Sequence, residues 1–405
     1  MIARRVIRLT EEKKRKGKEK KKKKKKKRII DLGRPTLEAY FTEINLAIEC
    51  SLKAARDLPH WASKHNIDVE EDLFRIPWNF PFFLAMMPII GVLAAGCCWV
   101  LKPSELAPSC SKLLGDLVPQ YLDQRACRVT QGGVEETTAL LDLKWDHIFY
   151  TGSTRITCHI AQKATAHLTW TTLELGGKCP ILLDPSTDLD LAAKRILFGK
   201  SHNFRQTYVS PDYLLIPTQN DPSILTCIIE SFHHAYTSFF PSDSHRLTLS
   251  RISSSTHFTH LTTLLSNMKG CVILGGHTDT TTLQMDLTMV TGVQEDDPLM
   301  SEEIFGPILP ILKVRNWEEA IQIVGRVSGT PLVVYMFSED GGIKEMVRKC
   351  MRSGSLMCNC TFLQMAVYEL PYGGIGESGS GCSNKACMEE FSNIHSQIDV
   401  PTSKL

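Results

Sequence analysis

From Cys110 to Phe337, short apolar runs that end in turns alternate with helical stretches, and few architectures accept such a chain. Cys127–Thr130, Trp145–Thr151, Cys179–Leu183 and Tyr213–Ile216 read as strands, and intervening segments such as Cys110–Leu122 as helices. Strands joined by helices pair in parallel, because the helical crossover returns the chain to the same edge and buries its apolar stripe on the sheet. A second set follows at Cys271–Leu274, Ile308–Val314, helical Trp317–Val324 and Leu332–Phe337. The fold class is α/β, and 405 residues allow two or three domains.

Upstream, Leu37, Tyr40, Phe41, Ile44, Ile48 and Leu52 recur at spacings of three and four, which predicts helix over 29–65 with one apolar face. Phe82–Leu101 carries no charge over twenty residues, a length that could span a bilayer. Pro88, Gly91 and Gly96 interrupt it and Lys102 follows directly, so a buried helix, a glycine turn and a buried parallel strand explain it better than a transmembrane span.

The net charge of +2 hides a split. Residues 1–28 hold 17 Lys and Arg against 3 Glu, leaving −12 for the body. A head with eight consecutive lysines at Lys20–Lys27 repels itself and buries nothing, so 1–28 is predicted to be a disordered tail. A nuclear-localisation patch, an anionic-membrane contact and a dispensable tail are the open readings. The acidic body offers no nucleic-acid footprint. The 14 Cys contain no C-x-x-C pair and no apolar stretch behind the N-terminal charges marks a secretory signal, which suits reduced thiols in the cytoplasm. The terminal Ser403-Lys404-Leu405 spells a peroxisomal address, a second location to weigh.

Six strings carry the chemistry. They are P-W-N-F-P-F (Pro77–Phe82), L-K-P-S-E (Leu101–Glu105), Y-T-G-S-T (Tyr150–Thr154), L-E-L-G-G-K (Leu173–Lys178), E-E-I-F-G-P (Glu302–Pro307) and P-Y-G-G-I-G-E-S-G-S-G (Pro371–Gly381). In this order they resemble the class 3 branch of the aldehyde dehydrogenase family, over about Asp31 to Ser396. The resemblance implies a Rossmann-type, doubly wound cofactor domain (29–173, its N-terminal part eroded) and a second α/β catalytic domain (174–360). It further implies a C-terminal active-site loop with a small, partly lost oligomerisation element and tail (361–405). The implied reaction is oxidation of a medium-chain or aromatic aldehyde to its carboxylic acid with NAD or NADP, in a homodimer or a heterodimer with a relative. Gly374-Ile-Gly376-Glu-Ser-Gly379 also satisfies G-x-G-x-x-G, but no βαβ unit surrounds it; the resemblance makes it a loop near the active site.

In that family a Cys thiolate adds to the aldehyde, hydride passes to the dinucleotide and water hydrolyses the thioester. By resemblance Asn79 supplies an oxyanion donor where charge develops, and Glu174 is the base that activates water. Lys102 and Glu105 match contacts to the adenosine ribose, Gly152 and Ser153 open the phosphate-binding turn, and Glu303 and Phe305 match residues at the nicotinamide ribose and ring. No metal is implied.

The pattern breaks in three places. Tyr208 stands at the position of the nucleophilic Cys, and Arg205 replaces a Gly of the same string, where close backbone approach is the expected reason for Gly. A phenol near pKa 10 is roughly 0.1% ionised at neutral pH, so activity is expected to be lost or severely reduced. Asp68, Glu70, Glu71 and Asp72 do not suit a buried parallel strand, so the cofactor sheet is expected to lack its first strand. Thr157 replaces the last Gly of the phosphate turn and should keep the helix from packing closely. A non-catalytic dinucleotide-binding or partner protein is the alternative function.

Overall fold

In a computed structural model the described residues are 31–62, 71–218, 223–241, 250–367, 370–381 and Phe391. The Lys-rich tract, Asp68, Glu70 and the C-terminal Ser403-Lys404-Leu405 lie outside them.

The first sheet is built from β1 (Glu71–Arg75), β2 (Cys98–Lys102), β3 (Cys127–Val129), β4 (His147–Gly152) and β5 (Trp170–Leu175), all mutually parallel. After α1 (Leu46–Ala62), which precedes the sheet, the crossovers are α2 (Phe83–Ala95), α3 (Pro108–Tyr121), α4 (Val134–Leu141) and α5 (Thr154–Thr165). Strand order is β5-β4-β1-β2-β3, so the chain winds outward from β1 in one direction and then returns to its other side. Helices therefore cover both faces. Phe74 and Ile76 pack with Ile89, Trp99 and Leu114 on one face, while Leu73 packs with Ile148, Ile160 and Leu175 on the other. Such a reversal opens a crevice at the carboxyl ends of the strands.

The first strand is present, against the sequence expectation. β1 lies in the middle of the sheet, pairing with β2 on one side and β4 on the other. Asp72 is carried into the interior at 0% exposure. Two full ladders and the burial of Leu73, Phe74 and Ile76, about 1.5–3 kcal/mol per side chain, outweigh one acidic residue.

The segment 82–101 forms α2, a turn at Gly96 with φ +82°, and β2, as read. No helix among the described residues is long and apolar enough to cross a membrane. The N-terminal helix departs from expectation. Thr36–Ala39 is α-helical, Tyr40–Asn45 widens into a π turn, and α1 follows. The extra residue in the wide turn breaks the helical phase. Leu37, Tyr40 and Phe41 end up exposed at 69%, 49% and 56%, while Ala47 and Ala54 are buried.

The second sheet contains β6 (Pro180–Leu183), β7 (Tyr213–Pro217) and β8 (Cys271–Leu274). After a short ribbon of β9 (Thr278–Asp279) and β10 (Gln284–Met285) come β11 (Thr288–Thr291), β12 (Ile308–Val314), β13 (Val333–Phe337) and β14 (Ser355–Cys358). Its order is β14-β13-β6-β7-β12-β11-β8, with only β8 antiparallel to its neighbour. The helix α6 (Leu189–Ser201), capped by the Asp188 carboxylate on the Leu191 N–H, leads into the loop 202–212. Finally β15 (Gly379–Ser380) returns to the first sheet and pairs antiparallel with β5.

Candidate active site

The site forms where β5 leaves the first sheet. Glu174, 3% exposed, is in register with Thr151 of β4 and with Gly379 of β15. Gly379 has φ +139°, and a Cβ there would lie 2.1 Å from the Leu173 carbonyl. The G-x-G-x-x-G string is thus a strand partner beside Glu174 rather than a phosphate loop. Past β5, a Cβ on Gly176 would meet Glu303 Oε2 at 2.2 Å, and the Gly177 N–H donates to that same oxygen at 3.2 Å. Gly176 leaves the room that brings Glu303 against the backbone, while Gly177 serves a backbone turn at φ +142°.

The loop after α6 makes a left-handed turn. Asn203, Phe204 and Arg205 have φ of +47°, +54° and +60°. This corrects the expected reason for a Gly at position 205: the backbone conformation favours it, and Arg there costs about 1 kcal/mol or more. The Arg205 side chain is fully buried. Its guanidinium pairs with Asp212 at 2.7 Å and with Glu303 Oε1 at 2.8 Å, and lies 5.7 Å from the Phe305 ring. Lys178 reaches the other Asp212 oxygen at 2.5 Å, and Lys200 donates to the Pro211 carbonyl at 3.0 Å. Burial raises the Asp212 carboxyl, but Arg205, Lys178 and Lys200 together hold it below its ordinary value. Burial lowers Lys200 well below the usual lysine value; Asp212 and, less, Glu303 work against this, while Arg205 and Lys178 add to it.

Tyr208 is 9% exposed and meets Tyr372 edge-on, ring centroids 6.2 Å apart. Burial first, and the charge of Glu174 second, push its phenol far above the ordinary value. The Glu174 charge thus reaches the Tyr208 phenol, and Tyr372 from P-Y-G-G meets the Tyr208 ring. Cys179 donates to the Tyr208 carbonyl at 3.3 Å, and burial pushes that thiol up to about 12, so it is no substitute nucleophile.

Asn79 is 2% exposed, and its side-chain oxygen has no hydrogen-bond partner among the described residues. Its backbone carbonyl, by contrast, accepts from Asn203 Nδ2 at 3.2 Å and from the Arg34 guanidinium. Sequence reasoning missed the device that holds this corner. Arg34 Nε donates to Asn203 Oδ1 at 2.7 Å, and Arg34 also pairs with Glu43 at 2.9 Å. Glu43 in turn accepts the Phe82 and Phe83 N–H groups, and Glu38 accepts the Asn203 N–H. Nothing local in the sequence says where Arg34 points.

The cofactor candidates fall into two separate groups. At the end of β2, Lys102 Nζ contacts Glu105 Oε2 at 2.6 Å, with Lys102 buried and Glu105 38% exposed. Burial raises the Glu105 carboxyl, but its bonds to Lys102 and to its own N–H leave it below the usual range. At the end of β4, Gly152 clears the Tyr150 hydroxyl, and exposed Ser153 opens α5 with extended backbone. Thr157 is accommodated, its hydroxyl donating to the Ser153 carbonyl at 3.1 Å. Glu303 and Phe305 sit elsewhere, in the grasp of Arg205. Phe305 also meets Trp78 edge-on at 5.5 Å, and its carbonyl lies 2.9 Å from His257 Nε2.

Comparison with known proteins places most of the chain. The sequence profile of the aldehyde dehydrogenase family matches residues 74–396. The chain is 38% identical to aldehyde dehydrogenase family 3 member H1 of Arabidopsis thaliana, over 90% of this chain and 78% of that protein. It is 37% identical to the dimeric NADP-preferring aldehyde dehydrogenase of Canis lupus familiaris, over 92% and 84%. Among solved structures, substrate-bound Staphylococcus aureus AldH superposes with a TM-score of 0.86 at 31% identity, covering 94% of this chain and 88% of that one. A Mycobacterium tuberculosis aldehyde dehydrogenase complexed with NAD+ shares the fold, with a TM-score of 0.80 at 22% identity. With profile, sequence relatives and fold in agreement over most of its length, the chain belongs to the aldehyde dehydrogenase family.

Proposed function

We propose that this chain keeps the family's nucleotide cleft but does not oxidise aldehydes. The observation that carries this reading is Tyr208, a buried phenol whose ionisation is opposed by both burial and Glu174. Attack on an aldehyde needs an electron pair on the nucleophile, and activation of a weak one needs a base or a lowered pKa. At Tyr208 the environment acts in the opposite direction. Asn79 and Glu174 stand as inherited oxyanion donor and water base, with no acyl intermediate to act on.

NAD or NADP, when bound, supplies a hydride acceptor. The residues present fit its adenosine half: Lys102 and Glu105 beyond β2, and the open start of α5 beyond Gly152 and Ser153. They do not fit the nicotinamide half, since Glu303 is bonded to Arg205 and Gly177. No hydride step follows from this arrangement.

The test is a single-turnover assay with excess protein, an aromatic or medium-chain aldehyde and NAD or NADP, followed by absorbance of the reduced cofactor. No signal above background is expected. Tyr208→Cys alone should recover little, because Arg205 remains. Steady turnover by the unaltered chain, abolished by Glu174→Ala, would overturn the proposal.

A second reading, a retained dinucleotide-binding module, is favoured by the intact Lys102–Glu105 pair. We expect NAD and NADP to bind more weakly than about 1 mM, about −4 kcal/mol. Micromolar binding that disappears in Lys102→Ala would decide for the module.

A further inference from the structure

A dinucleotide laid along the carboxyl edge from β2 to β5 crosses three strand spacings, about 14 Å. The two ends of that path are furnished in opposite ways. At the β2 end Glu105 is partly exposed beside Lys102; Arg75, at the end of β1, lies half-buried 5.4 Å from the Tyr150 ring. These groups, with the open start of α5, can exchange their partners for a ligand.

At the β5 end the polar groups are already engaged with one another. Glu303 accepts from Arg205 at 2.8 Å through one oxygen and from the Gly177 N–H at 3.2 Å through the other. Arg205 is fully buried, also paired with Asp212 at 2.7 Å, and faces Phe305. A sugar hydroxyl would have to share the Glu303 carboxylate with the guanidinium that already neutralises it through the part-buried bond from Arg205. Tyr208 and Tyr372 wall the same corner.

We infer that Arg205 is the specificity-determining residue of this cleft, holding Glu303 and closing the β5 end, so that the protein recognises an adenine nucleoside diphosphate and gains nothing from the nicotinamide half of a dinucleotide. The inference rests on the reading of this edge as a nucleotide cleft. It makes ADP as good a ligand as NAD.

Ligand-observed NMR titrations of the full chain with NAD and with ADP provide the test. Affinities within about threefold of each other are expected. Glu303→Gln should change either affinity by less than about twofold, because Glu303 touches no ligand. Arg205→Gly should strengthen NAD about tenfold and leave ADP unchanged. Since that variant also removes a buried ion pair, Glu303→Gln in the otherwise unaltered chain keeps the test independent of its folding. NAD binding about tenfold tighter than ADP, with the advantage lost in Glu303→Gln, overturns the inference and leaves a dinucleotide site standing. Binding of neither nucleotide to folded protein at about 10 mM overturns the nucleotide reading, and this inference with it.

Discussion

The β2 end and the β5 end of the cleft carry the same kinds of group and use them differently. At β2 one buried lysine meets one carboxylate that is 38% exposed, so solvent reaches the pair from the carboxylate side. At β5 three buried cations, Lys178, Lys200 and Arg205, crowd around buried Asp212 and around Glu303, whose side chain is 22% exposed. The lesson is that a matching residue is a binding residue only while its hydrogen-bonding capacity is uncommitted. Glu303 keeps its identity, and a single Arg from the loop before the neighbouring strand β7 has claimed it.

The contrast is most exposed to failure in the buried cluster. Asp212→Asn leaves three buried cations with Glu303 as the only anion, and should cost about 4 kcal/mol in urea denaturation. Arg205→Gly should cost clearly less, since Lys178 and Lys200 still compensate Asp212 and Gly relaxes the φ of +60°. A larger loss for Arg205→Gly than for Asp212→Asn would break the picture of Arg205 as an added plug in a site that folds without it.

A second probe bears on the first sheet, beneath the open end. His147 on β4 is 1% exposed, its Nε2 lies 2.9 Å from Thr172 Oγ1, and burial depresses its pKa to about 4. The unfolded chain takes up a proton near pH 6.5 and the folded chain only near pH 4, so this stability is present above pH 6.5 and lost as pH falls toward 4. The loss should reach about 3 kcal/mol over that window, and His147→Gln should flatten it.

Arg34→Ala should cost about 2 kcal/mol, less than the Asp212 change, because Glu43 keeps the Phe82 and Phe83 N–H donors. Its sharper readout is faster amide exchange in the 203–206 loop, which Arg34 ties to Asn79. The smallest effect is at the open end. Lys102→Ala should weaken ADP about tenfold, roughly 1.4 kcal/mol, without measurable loss of fold stability beyond its packing. Equal sensitivity of ADP to Lys102 and Glu303 substitutions would erase the difference between the two ends.

Much of this was legible in the chain. Strand and helix periods are local properties, so the runs at 127–130, 145–151, 179–183 and 213–216 fall on β3, β4, β6 and β7 to within two residues. The Pro88–Gly96 punctuation separated α2 from β2 for the same reason. Local reading failed at β1, where the acidic run argued against a strand that the neighbouring ladders and apolar Leu73, Phe74 and Ile76 impose. It failed again at Leu37, Tyr40 and Phe41, where a π turn shifted the phase.

The sequence by itself determined the α/β class, the family and the absence of a thiol at position 208, because motif spacing and residue chemistry are written along the chain. Tertiary structure alone decided which of the inherited residues remain available. Arg205 and Glu303 are 98 residues apart, and Arg34 and Asn203 are 169 apart, so no window of sequence contains either pair. Charges meet only after two sheets have packed, and burial then fixes whether a carboxylate serves a ligand or its own protein.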